Sequence, residues 1–122
     1  MSEQHLLFCI TDERIVDGLY ESLKHNGLLF LVKEINLESK KAHFQGISLC
    51  NKNTMCNLME AYYPGNVSYS VKVVEDNKVV DTIRYLCKGL SKDDAPDVRF
   101  NDGYLVEDLH DAYWQINVDG CR

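Results

Sequence analysis

Short apolar runs of strand length alternate along this chain with stretches of helical spacing, and that alternation leaves few folds open to it. Residues 5–11 form the first such run, ending at Thr11, a residue type that caps helices. Ile15, Val16, Leu19 and Leu23 then repeat at helical spacing until His25, Asn26 and Gly27 give a stop signal. Residues 28–36 and 42–50 read as two strands joined by the polar loop 37–41. A second helix is expected from a cap at Thr54, with Met55, Leu58, Met59 and Tyr62 on one side and Pro64-Gly65 as its halt. Residues 67–74 give a fourth strand, 77–89 a third helix, and 105–116 a last helix with Leu105, Leu109, Ala112, Tyr113 and Ile116 in a stripe.

The order βαββαβ predicts an α+β fold of ferredoxin-like, or split βαβ, type. Its antiparallel sheet would carry helices on one face and leave the other free for a ligand. With 122 residues, 45% of them apolar, the chain suffices for one compact core. The expected division is a principal domain over residues 1–100, with a C-terminal helix and tail over 101–122. Five cysteines without a C-x-x-C pair argue against a disulfide framework or a structural zinc site, and for a reducing compartment. No apolar run approaches the ~20 residues of a membrane span, so a soluble protein is expected. The net charge of −6 is the wrong sign for binding nucleic acid through bulk electrostatics. Most of the excess acid is local, however, because Asp102, Glu107, Asp108, Asp111 and Asp119 face only Arg122 from Phe100 onward.

Helix geometry separates Tyr85 from the core. Counting about 100° per residue from Val79, the residues Val79, Val80, Ile83, Leu86 and Cys87 share one arc, while Tyr85 falls at about 240° and Lys88 at about 180°. The tyrosine therefore lies nearly opposite the buried stripe, with a cation at i+3. Taken alone, such a pair far more often describes a half-exposed surface Tyr beside a solvated Lys, and only the rest of the constellation shifts that balance.

A second group lies on a strand. His43 and Gln45 are two apart and project to one side, about 6–7 Å from each other, a span that an ion or its bound water can bridge. If the two strands pair through the 37–41 loop, Glu34 faces His43 or Gln45 across the ladder. One imidazole nitrogen and two side-chain oxygens suit Mn²⁺ or Mg²⁺ with open positions, rather than a closed zinc cage. Glu38 is a rival ligand in the loop, and two polar side chains on an open sheet face are the plain alternative for His43 and Gln45. An ion site with a tyrosine nucleophile and a nearby cation matches metal-assisted phosphodiester cleavage.

His43-Phe44-Gln45-Gly46 followed by Tyr85-Leu86-Cys87-Lys88-Gly89 resembles motifs II and III of the replication initiator (Rep) endonucleases of circular single-stranded DNA viruses. These are the circovirus, nanovirus and geminivirus relatives within the HUH endonuclease superfamily. Glu34 stands where the metal-binding acid of circovirus-like members does. The stretch from Tyr104 through Tyr113, Trp114 and Asn117 is similar to the segment after motif III in some marine and diatom-virus relatives. Two departures stand out: the first family motif survives only loosely as Phe8-Cys9-Ile10-Thr11, and Gln45 replaces the second histidine of strict H-x-H members. The resemblance implies Glu34, His43 and Gln45 as ligands of Mn²⁺ or Mg²⁺, with Tyr85 as nucleophile and Lys88 as its cationic partner. It implies DNA contacts at Thr11, Lys41 and Arg84, and a single-stranded origin stem-loop as substrate. Nicking and rejoining through a 5′-phosphotyrosine would start rolling-circle replication in the host nucleus. No G-x-x-x-x-G-K-[ST] loop is present, so ATP-driven unwinding is not expected; self-association would run through the missing C-terminal helicase region. The alternative class is a non-catalytic RRM-like module that binds single strands, although the RRM signature is absent. The stripe of the last helix offers a third reading, a protein-interaction domain.

Overall fold

A computed structural model of the chain describes residues 3–15, 17–36, 39–65 and 68–116. Five strands and four helices follow in the order β1 (Gln4–Ile10), α1 (Asp17–His25), β2 (Leu28–Ile35), β3 (Ala42–Cys50), α2 (Lys52–Tyr62), β4 (Tyr69–Val74), α3 (Val79–Leu86), β5 (Asp97–Asn101) and α4 (Val106–Trp114). The strands form one antiparallel sheet in the order β4-β1-β3-β2-β5. Its first four positions are those of a ferredoxin-like fold, as the element order predicts. Among the described residues, no helix is long and apolar enough to cross a membrane.

Strand alternation builds two cores from one sheet. Leu6, Phe8 and Ile10 of β1, Leu31 of β2, and Phe44 and Cys50 of β3 face one way, where Leu19 and Leu23 of α1 and Met55 and Met59 of α2 close over them. Phe8 is wholly buried and needs Gly46 opposite it. A Cβ on Gly46 would lie 2.5 Å from the Phe8 ring and 2.7 Å from the Phe30 carbonyl oxygen. Phe30, Val32 and Ile47 face the other way, against Val79, Ile83, Leu86 and Cys87 of α3, with Leu109 of α4 packed beside them. Both faces thus carry helices, which corrects the expected open face. α3 follows the end of β4 in sequence, and Lys88 just past its last turn reaches Glu34 near the end of β2.

Several local expectations change for physical reasons. α1 begins at Asp17 and not just after Thr11. The Tyr63 hydroxyl donates to Asp12 Oδ2 at 2.9 Å, which holds residues 12–14 in a bend. α2 is capped by Asn51, whose Oδ1 accepts from the amides of Asn53 (2.9 Å) and Thr54 (3.2 Å), so Thr54 is a capped residue and not the cap. Val80, at the rim of its arc, is 52% exposed. The stripe expected on α4 is rotated: Leu105 and Ile116 are exposed, while Leu109 and His110 turn inward. The strand β5 was not expected. It extends the sheet beside β2, through a register shift between Leu31 and Val32. Val16, Glu38, Val67, Asn117 and the rest of the tail lie outside the described residues.

Candidate metal and nucleophile site

The hairpin register settles the choice left open across the ladder: Glu34 is directly opposite His43, and Val32 is opposite Gln45. Glu34, His43 and Gln45 therefore rise from the same face. Glu34 Oε2 lies 3.2 Å from His43 Nε2, and the side-chain amide of Gln45 lies 3.0 Å from the same nitrogen. A neutral imidazole Nε2 can accept from an amide or donate to a carboxylate, but not both. Turning the amide around brings a second oxygen to that nitrogen. One carboxylate, one imidazole and one amide thus converge around His43 Nε2. That donor set fits a divalent ion of the Mn²⁺ or Mg²⁺ kind. Among the described residues, no group of three or more His, Cys, Asp or Glu side chains gathers, and this set counts only two residues of those types.

Helix α3 delivers the other half. Lys88, just past its end, donates to Glu34 Oε1 at 2.6 Å, and its ammonium sits 4.2 Å from the centre of the Tyr85 ring. Glu34 is therefore shared, one oxygen turned to His43 and the other to Lys88. The side chains of Glu34, His43 and Lys88 are only 19%, 21% and 20% exposed, so the Glu34 and Lys88 charges interact through less water than a surface pair would. Tyr85 is 48% exposed, clear of the core stripe as its helical position predicts.

Sequence reasoning missed what holds this end of α3. The last carbonyls of a helix have no partners within it. Here Trp114 of α4 donates to the Lys88 carbonyl at 2.5 Å, and His110 Nδ1 lies 2.7 Å from the Cys87 carbonyl. His110 Nε2 lies 3.1 Å from the carbonyl of Lys92, and the Tyr113 ring meets Tyr85 edge-on at 6.1 Å. Gly89 turns the chain away with φ +66°, and a Cβ there would run into the Asp94 carbonyl. A hydropathy stripe carries no signal for such contacts, because their donors are polar edges of otherwise apolar rings. Cys9 was missed as well: it pairs with Gln45 across β1 and β3 and shares its face. Burial pushes the Cys9 thiol up, and the Glu34 carboxylate adds to the effect.

Of the three expected DNA contacts, two lie at the same end of the sheet as the site. Thr11 follows β1 and is exposed, its amide donating to the Ser68 carbonyl at 2.8 Å; Lys41 is exposed directly before β3. Arg84 is on α3 beside Tyr85 but pairs with Asp81 at 3.1 Å, and its Nε is buried without a partner. A cleft of about 340 Å³ adjoins the site, lined by Glu34, His43 and Lys88 together with Ile35, Leu86 and Leu90 among others. The chain matches no protein-family model, no curated protein and no solved structure.

Proposed function

We propose that the protein is a metal-dependent, single-stranded DNA endonuclease and ligase of the Rep type, which nicks an origin stem-loop by attack of Tyr85 on a phosphodiester. The observation that carries this reading is the bridge made by Lys88, which touches the Tyr85 ring and the carboxylate of the Glu34–His43–Gln45 set at once. The same ammonium thus joins the tyrosine to the carboxylate that stands opposite His43.

Glu34, His43 and Gln45 are the residues that would hold the ion. A bound Mn²⁺ or Mg²⁺ supplies Lewis-acid polarisation of the scissile phosphate. Tyr85 forms a bond from its Oη to phosphorus, the P–O3′ bond breaks, and the phenolic proton is formally transferred to the departing 3′-oxygen. The products are a 5′-phosphotyrosine and a free 3′-OH. Because the new link is again a phosphodiester, attack by a 3′-OH reverses the step and joins ends. Lys88 offsets negative charge on the phenol oxygen and the phosphate, and holds Glu34 in place through Oε1. Thr11 and Lys41, at the rim, are suited to the flanking strand. Residence in the host nucleus belongs to the same reading.

The test is incubation with a labelled single-stranded stem-loop pool, with Mn²⁺ or with chelator, followed by denaturing electrophoresis. An adduct that survives SDS, needs the metal and disappears in Tyr85→Phe is the expected outcome. Binding without any adduct would favour an RRM-like module, and an adduct persisting in Tyr85→Phe would move the nucleophile to another tyrosine.

A further inference from the structure

His110 has an unusual setting for a histidine. It is 8% exposed, and it and Ser48 are the buried polar side chains among the described residues. Both of its ring nitrogens meet backbone carbonyls: Nδ1 lies 2.7 Å from the oxygen of Cys87, at the end of α3, and Nε2 lies 3.1 Å from that of Lys92. A carbonyl oxygen only accepts, whereas a neutral imidazole carries one N–H and one lone pair. The singly protonated ring therefore satisfies one of these carbonyls and sets its lone pair against the other. Only the doubly protonated ring donates to both.

We infer that His110 is a proton-operated latch: doubly protonated, it ties the loop between α3 and β5 to the end of α3, and on losing a proton it releases that loop. The proton goes to solvent; the shorter bond, to Cys87, stays and the longer one, to Lys92, is lost. The released loop is a wall of the cleft beside Glu34 and Lys88, which it lines through Gly89, Leu90, Ala95 and Pro96. It packs closely on the ring, since a Cβ on Gly89 would lie 3.3 Å from His110 Cε1. The titratable side chains on the segments that meet the ring are Cys87 and Lys88 at the end of α3, Lys92 and Asp94 in the loop, and Glu107 and Tyr113 one turn to either side on α4. Both ring nitrogens are nonetheless spent on carbonyls. Burial pushes the Cys87 thiol up to about 11, so this neighbour keeps its proton while a histidine titrates. The latch is independent of the nuclease reading and is tested without DNA or metal.

The experiment follows the isotopically labelled chain by NMR between about pH 5 and 8, the range in which histidines titrate. Proton–nitrogen correlations within the imidazole give the protonation of the His110 ring. Hydrogen exchange of the Asp94 amide, which donates to the Ser91 carbonyl at 3.2 Å inside the loop, gives the loop's local stability once the intrinsic pH dependence of exchange is divided out. The expected result is a ring with two N–H groups at the acid end and a single one, on Nδ1, at the alkaline end. Protection of the Asp94 amide should fall about fivefold over the same transition, the worth of one hydrogen bond. In His110→Gln, whose side-chain amide can still donate to the Cys87 carbonyl, that protection should stay level with pH. The latch is overturned if the ring holds one proton, or two, across the whole range, or if its titration leaves the Asp94 protection unchanged. It is equally overturned if the same fall appears in His110→Gln. The ring titration and the exchange both use the unaltered chain, so a variant that failed to fold would leave those two grounds for refutation in force.

Discussion

The two faces of the sheet are built from the same strands and used differently. On the side of α1 and α2, β3 contributes Phe44, Gly46, Ser48 and Cys50, and Phe44 and Cys50 join one buried apolar cluster beneath the two helices. On the side of α3 and α4, the same strand contributes His43, Gln45 and Ile47, and only the Ile47 end lies within a hydrophobic cluster. This apolar face sets the register, because a one-residue slip would carry Phe44 to the other side. That register is also what brings Glu34 opposite His43. The polar face is therefore free to hold groups that add little to stability, since their alignment is secured from behind.

Three measurements bear on this contrast. The largest effect belongs to Phe8→Ala on the apolar face, where a wholly buried ring packs on Gly46; about 3–5 kcal/mol of unfolding free energy should be lost in denaturant titration. A much smaller loss would mean that this face does not anchor the register. An intermediate effect is expected from alkali, through the covered half of the other face. Burial pushes the Cys87 thiol up to about 11 from its ordinary 9.0. Between those values the unfolded chain has already released this proton and the native state has not, so stability falls as pH rises through the window. The decline should be shallower in Cys87→Ala, and an unchanged slope would show that the thiol is not sealed in. The smallest effect is expected for Gln45→Ala, within about 0.5 kcal/mol in denaturant, and under the proposed nuclease reading the metal requirement for nicking should rise. A loss near that of Phe8→Ala would erase the distinction between the faces.

Much of the site was legible because it depends on periodicity. Two-residue alternation aligned His43 with Gln45, hairpin pairing added Glu34, and the 100° step put Tyr85 opposite Ile83. The parts that were not legible depend on partners distant in sequence. Only Val98 and Phe100 mark β5 as a strand, and its pairing with β2 passes through a register shift that no local pattern encodes. The rotation of α4 follows from His110 and Trp114 meeting carbonyls at the end of α3, a demand set by another helix. The start of α1 depends on Tyr63, at the far end of α2, reaching Asp12.

The division of Glu34 between His43 and Lys88 also governs how its substitution has to be interpreted. Strand and helix meet at this one carboxylate, so neutralising it removes the acceptor beside His43 and, in the same stroke, releases the ammonium that lies against the Tyr85 ring. Under the proposed nuclease reading, an inactive Glu34 variant would consequently be a double lesion, and only separate changes at His43 and at Lys88 can apportion the damage between ion affinity and the alignment of Tyr85.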